Sequence, residues 1–320
     1  MKAALFALTL AAVALAPAAR ADGLPVMNVD VGPDGVTAPG LADRIVAFPS
    51  PTRTLVARIE KGTGKVRAWR RLRETLTVPA VAYDSSADGL ARNGSTMTLI
   101  TPRNRFPRAT TTFALLDGTS LAERRRIMLR GDFSFDAISP DGRWIYVIHY
   151  TSIDDPLQYE VRALDTRTGR LTPTPVVDPR KPGEAMNGNP LTRAWSPDGR
   201  WAFTLYDGTE HPFVHALDTV GRSARCIDLD WLHGRRDLWG LRFIVGSDGR
   251  ELRIRSRSDT VAVVDTRRWE AAPSAPGGRR FDPWIVVLLA GGLLLAAGVA
   301  YRSTVRRRAS STSFGGATSA

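Results

Sequence analysis

The densest grouping of chemically capable side chains lies in two short stretches, "TSIDDPL" (151–157) and "DGTEH" (207–211). Asp154 and Asp155, with Asp207, Glu210 and His211, are the types that surround a cation or a basic ligand with oxygen and imidazole donors. Arg105 and Arg108 in "PRNRFPRA" (102–109), with Arg180 and Lys181 in "DPRKPGEAMNGN" (178–189), are the types that hold an anion such as a sugar acid or a phosphate. Each group has a plainer alternative: adjacent loop aspartates cap turns, and loop arginines stay solvated.

Metal and nucleophile chemistry find less support. "HPFVH" sets His211 and His215 four apart, but Pro212 and the strand-like residues after it stretch the pair to about 13 Å at ~3.3 Å per residue, too far to share one ion. His149 and His233 are isolated. There is no G-x-S-x-G, H-E-x-x-H or paired CxxC, and "GTGK" (62–65) lacks the spacer, the hydroxyl residue and the helix of a phosphate loop. Cys226 is the single cysteine, which rules out an intramolecular disulfide; in "ARCIDLDW" it reads as a small hydrophobe in a strand. No catalytic residue, metal or cofactor is expected from these residues.

The elements that position the loops are repeated. "FSFDAISPDGRWIYVIHY" is followed by "QYEVRALDTRTGRLTPTPVV", "LTRAWSPDGRWAFTLY" by "PFVHALDTVGRSARCIDL", and "LRFIVGSDGRELRIRS" by "TVAVVDTRRWE". A worn copy reads "GLARNGSTMTLIT" then "TTFALLDGTSLAERRRIML", so that Gly94, Gly142, Gly199 and Gly249 fall 48, 57 and 50 apart. A fifth unit is expected to open the series with "TLVARIE" and "KVRAWRR" on either side of "KGTG", its first turn being the glycine-free "SPTR". Asp-Gly and Asn-Gly supply the positive backbone dihedrals of a tight hairpin, and the flanks are rich in β-branched and aromatic residues. Trp144 to Ile148 is apolar on both faces, as a strand between two sheets must be.

The period predicts an all-β chain, a β-propeller of about five to six four-stranded blades over residues 22–270, with "PVMNVDVGPDGVTAPG" available to a first or closing blade. A two-sheet sandwich is the alternative. Strand alternation places both tight turns on one face and the irregular loops, with all the candidate residues, on the other. "SPDGR" followed by an aromatic or aliphatic strand resembles the repeat of TolB-like, WD-repeat and YVTN-type propellers, and the layout resembles membrane-anchored propellers of high-GC bacteria. The resemblance covers most of residues 43–270 and implies a fold, not an activity.

The chain ends address the location. Lys2, the apolar run Ala3 to Ala16 and Ala19-Arg20-Ala21 read as a signal peptide over 1–21, with a retained membrane helix as the alternative. Residues 271–283 read as a Pro- and Gly-punctuated linker. The uncharged 18 residues from Trp284 to Tyr301 are long enough for one C-terminal transmembrane α-helix, followed by a basic, disordered cytoplasmic tail, 302–320. Of the formal charge of +12, the signal and the four tail arginines account for half, leaving 38 basic against 32 acidic residues in the exported body. That balance and location exclude nucleic acid as the expected partner.

The expectation is a single-pass membrane protein whose extracytoplasmic propeller binds a protein, peptide or glycan without catalysis. A lactonase- or quinoprotein-type enzyme with an axial metal or cofactor site is the second reading, and a sensor relaying through its tail is the third.

Overall fold

Two short turns recur and account for the repeat. In the first, Ser139 Oγ donates to Asp141 Oδ1 (2.6 Å), Asp141 Oδ1 accepts from Arg143 N (3.0 Å), and Ser139 Oγ accepts from Trp144 N (2.9 Å). Ser196, Asp198, Arg200 and Trp201 repeat the same three bonds. The loop is four residues long, closed by Ser139 N donating to Trp144 O, and only its glycine takes a positive φ (+73° at Gly142 and at Gly199). Serine and aspartate are thus required as local acceptors, and glycine as the left-handed residue.

The second turn follows "ALD" or its variants. Asp165 Oδ1 accepts from Arg167 N and Thr168 N, Asp218 Oδ1 from Val220 N and Gly221 N, and Asp117 and Asp265 do likewise. In the third and fourth repeats the arginine of the first turn reaches this aspartate: Arg143 Nη2 and Arg200 Nη2 lie 2.6 Å from Asp165 and Asp218 Oδ2. Both tight turns therefore emerge on one face, as strand alternation requires.

The computed structural model describes residues 35–184 and 186–274. The expected signal peptide, the membrane helix, the tail and most of the linker lie outside the described residues. Among those described, no helix is long and apolar enough to cross a membrane. Five antiparallel sheets follow in chain order. Sheet 1 holds β1 (Asp43–Ser50), β2 (Arg53–Glu60) and β3 (Val66–Arg73); sheet 2 holds β4 (Thr96–Ile100), β5 (Thr110–Asp117) and β6 (Glu123–Arg130). Sheet 3 holds β7 (Phe133–Ile138), β8 (Trp144–Tyr150), β9 (Tyr159–Asp165) and β10 (Arg170–Leu171). Sheet 4 holds β11 (Asn189–Trp195), β12 (Trp201–Asp207), β13 (Phe213–Asp218) and β14 (Ser223–Asp228). Two short 3-10 turns, Asp230–Leu232 and Leu238–Gly240, lead into sheet 5, with β15 (Leu241–Val245), β16 (Glu251–Ser256), β17 (Asp259–Asp265) and β18 (Glu270–Pro273). Strand β18 carries the last sheet past the expected boundary at residue 270.

In sheets 1 and 2 the innermost strand is reduced to one bridge, Val36 with Ile45 and Leu90 with Met97. This corrects the register expected for the opening unit. "SPTR" joins β1 to β2, the position of the irregular loop in later repeats, and the first turn spans residues 37–42 with Gly40 at φ +79°.

Each sheet packs face-on against the next. Val56 and Leu72 of sheet 1 share a core with Met97 and Leu116 of sheet 2; Phe113 and Leu115 share one with Ile145 and Val147 of sheet 3. Tyr146 on the opposite face of β8 packs with Ala202 and Leu217 of sheet 4, and Phe203 and Val214 pack with Leu252 and Ile254 of sheet 5. Strand β8 is thus buried on both faces, at roughly 1.5–3 kcal/mol per large aliphatic side chain. A two-layer sandwich has no interior sheet, so serial packing sets that alternative aside and leaves a β-propeller.

Candidate functional site

The innermost segments of sheets 2, 3 and 4 bring charged side chains together at the axis, away from the loops that the sequence singled out. A β-bulge between Phe135 and Ala137 leaves Asp136 out of the β7–β8 ladder, freeing its side chain to turn inward. There its carboxylate accepts from Arg193 Nη2 of β11, and its carbonyl accepts from Arg193 Nη1 (2.9 Å). Both side chains are 3% exposed, and the ion pair is completed by backbone acceptance, the condition under which a buried charge pair is tolerated.

Asp88 belongs to the innermost segment of sheet 2 and is 7% exposed. Its Oδ1 accepts from Gly89 N (2.6 Å), and the Trp195 side chain is a second hydrogen-bonding neighbour of the carboxylate. Burial pushes its pKa from 3.8 up to about 7, against the pull of Arg193. Asp88 lines a cavity of about 210 Å³ whose walls include Val36, Leu90, Ile138 and Trp195. The innermost segments of sheets 1 to 4 all contribute to it, so it lies where the blades converge.

A second buried network sits at the other end of β7. Asp132 accepts from Arg103 Nη2 (2.7 Å), Arg108 Nε (3.0 Å) and Arg108 N (2.9 Å); Arg108 Nη1 donates to Thr101 O (2.6 Å). Arg103 also donates to Ser134 Oγ (3.0 Å) and lies over the Tyr150 ring, 4.5 Å from its centroid. Burial lowers the pKa of Arg108, with Asp132 opposing.

The loop residues singled out by sequence do not form one site. Arg108 is committed to Asp132, whereas Arg105 is exposed in the same loop. Arg180 is held by Asp178 (2.7 Å) and donates to Cys226 O (3.2 Å), and Lys181 pairs with Asp228 (2.7 Å). Although burial opposes it, the hydrogen bonds from Arg180 and from Cys226 N bring Asp178 down to about 2. Asp155 accepts from Leu157 N (2.8 Å) and Gln158 Nε2 (3.1 Å), and Asp154 N donates to Ser152 Oγ (3.2 Å); these are turn-capping bonds. Asp207 accepts from Trp239 Nε1 (3.1 Å), and Glu210 is exposed. His211 faces Asp228 and Asp230 (3.2 and 3.6 Å), away from the role of a metal partner to His215, which is buried with both ring nitrogens unbonded. Among the described residues no group of three His, Cys, Asp or Glu is placed to hold a metal ion.

A further concentration of charge lies on the outermost strands. Strand β3 carries Arg67, Arg70, Arg71 and Arg73, and β6 carries Arg124, Arg125, Arg126 and Arg130. Each strand is paired on one edge only. The two are linked by Arg126, whose Nη1 lies 2.6 Å from Glu74 Oε2. Between them runs an open groove of about 740 Å³ lined by Arg70, Arg71 and Arg73 and by Arg126 with its partners Glu74 and Glu123, over a floor that includes Leu72 and Leu121. Trp69 and Met128 stand more than half exposed on these strands.

No family model and no curated protein matches the chain. Among solved structures, the dihydro-heme d1 dehydrogenase NirN matches with TM-score 0.46 and 16% identity over 80% of this chain and 49% of that one, so the chain spans about half of NirN. BamB from Moraxella catarrhalis matches with TM-score 0.42 and 19% identity, over 77% and 65% of the two chains. A putative TolB from Agrobacterium tumefaciens matches with TM-score 0.38 and 14% identity, over 72% and 80%. These are likenesses of fold, and no activity or ligand passes from them to this chain.

Proposed function

We propose that this chain is an exported β-propeller, tethered by one C-terminal helix (Trp284–Tyr301), that binds an acidic protein or peptide outside the membrane and catalyses no reaction. The observation that carries the reading is the pair of arginine rows on β3 and β6. No carboxylate pairs with Arg70, Arg71 or Arg73 among the described residues, and the groove beside them keeps an apolar floor. Unpaired strand-edge amides and carbonyls, guanidinium groups and exposed Trp69 together suit an extended acidic segment, which main-chain bonds would hold and side-chain charges would select. Arginines on an open edge also repel a second copy of the same edge, which keeps the surface available.

The signal segment and apolar run support the location, and the exported body's modest positive excess supports an acidic partner over a basic one. The test is cross-linking and co-purification from membranes with the wild-type chain and a variant carrying Arg70→Glu, Arg71→Glu and Arg73→Glu. The expected result is a partner captured by the wild type in low salt, lost from the variant and weakened by added salt. Capture unaffected by both changes refutes the arginine reading. Failure of protease added to intact cells to degrade the propeller refutes the location.

A further inference from the structure

Sheet 1 opens the series, and only one of its faces packs on another sheet. Ile45, Val56 and Leu72 turn to the core shared with sheet 2. The alternate residues form the opposite face: Val46, Ala57 and Trp69 lie in one row across the three strands, with Phe48, Leu55 and Arg71 in the row on one side and Ile59 with Val66 on the other. Among the described residues no core joins this face to sheet 5. Phe48, Leu55, Val66 and Trp69 are 45%, 40%, 51% and 56% exposed. Single exposed apolar side chains are ordinary, but four gathered on one face mark a surface that something covers. The charged residues of the face, Arg44, Arg53, Arg71 and Arg73, are all cationic.

We propose that this face is the docking surface for the chain's own segment "LPVMNVDV" (24–31), laid across it with Met27, Val29 and Val31 against Phe48, Leu55 and Trp69. Those apolar residues alternate with Asn28 and Asp30, so one side of an extended segment is apolar. Gly35 fixes where the segment starts: it sits at φ +58° beside a member of the face, and a methyl group there would stand 2.6 Å from Val46 Cγ1. From Gly35 back to Met27 the chain reaches up to about 26 Å at ~3.3 Å per residue, against roughly 10 Å from the first strand of the sheet to the third. Charge agrees with the fit, because residues 22–34 carry Asp22, Asp30 and Asp34 and no basic residue. A second copy fits less well. The outward side of sheet 5 sets Ile244 beside Arg242, Arg253 and Arg255, so either terminal face of another copy would bring arginine against arginine. Trp69 and Arg71 also border the strand edge proposed for an acidic partner; Leu55, on the middle strand, does not, and docking read there stands or fails apart from partner capture.

The reporter is Leu55→Cys combined with Cys226→Ser in the full chain in detergent, and the probe is N-ethylmaleimide, its rate of addition followed by mass spectrometry. Adding Val29→Asp and Val31→Asp is expected to raise that rate at least about ten-fold, and a peptide of residues 22–34 is expected to restore protection to the resulting variant. The same peptide carrying Val29→Asp and Val31→Asp should give none. Phe48→Cys serves as a second reporter on the face. Ile244→Cys, on the last sheet, is expected to react at one rate with and without the two aspartates, which separates uncovering of sheet 1 from general unfolding. Equal rates at Leu55→Cys in the two contexts, an acceleration at Ile244→Cys that matches it, or a peptide that gives no protection overturns the proposal. Protection that rises with protein concentration identifies a second copy as the occupant and overturns it as well.

Discussion

Asp88→Asn is expected to make the propeller more stable, by an amount that depends on pH. The unfolded chain ionises this carboxyl near 3.8 and the folded chain near 7, so between those values the folded state retains a proton that the unfolded state has released. Stability tied to Asp88 is therefore fully present below about pH 4 and is lost as the pH rises through about 7. At about 1.4 kcal/mol per pH unit, the whole interval corresponds to about 4 kcal/mol, an upper figure because local relaxation relieves part of the burial. Asparagine keeps an oxygen for Gly89 N and carries no charge, so it removes the pH-dependent penalty with little change of shape. Denaturant unfolding of both proteins across pH 4–9, followed by near-UV circular dichroism of the tryptophans, measures the difference. The variant should gain steadily with pH and level off above about 8. A difference that does not change with pH, or one that shrinks as the pH rises, would refute the reasoning.

His215 should show the opposite slope. Burial holds its pKa down from 6.5 to about 4, so its contribution is present above about 6.5 and is lost as the pH falls through about 4, some 3 kcal/mol in all. His215→Leu should flatten the acid limb of the unfolding profile, and an unchanged limb would count against a neutral, unpartnered imidazole. Gly142→Ala should cost about 1–3 kcal/mol, because the residue sits at φ +73° and a methyl group there would stand 2.5 Å from Thr96 Oγ1. Gly62→Ala, with nothing near the added methyl and no positive φ, should lie within about 0.5 kcal/mol of the wild type. Equal thermal shifts for the two glycine variants would undo the account of the first turn.

The fold was legible because its signals are local. "SPDGR" and "ALD" are each a set of short-range acceptors around one left-handed residue, and the both-faced apolarity of Trp144 to Ile148 requires a neighbour on each side. The register of the opening unit was misread for the same reason: with the first strand worn to Val36, "SPTR" looked like the missing turn. The axial cluster was less accessible. Asp136 in "FSFDAI" and Arg193 in "LTRAW" are single charges in apolar strands, which is a signal, but their meeting depends on a bulge and on the approach of strands 57 residues apart in sequence. The loop candidates failed in the other direction. Loop composition marks where polar groups collect, but not which are already bonded, and Arg108, Arg180 and Asp155 are spent on neighbours a few residues away or on an adjacent strand.

The ties from Arg143 to Asp165 and from Arg200 to Asp218 each close within a single repeat. A unit built this way brings its own fastening wherever it is inserted, so gene duplication or deletion can change the number of units without inventing a new joint. What must be renegotiated after such an event is the fit of one sheet's face against the next and the balance of charge at the centre. Divergence in this lineage is therefore expected to concentrate at those two places, and the clasped edge should stay as it is.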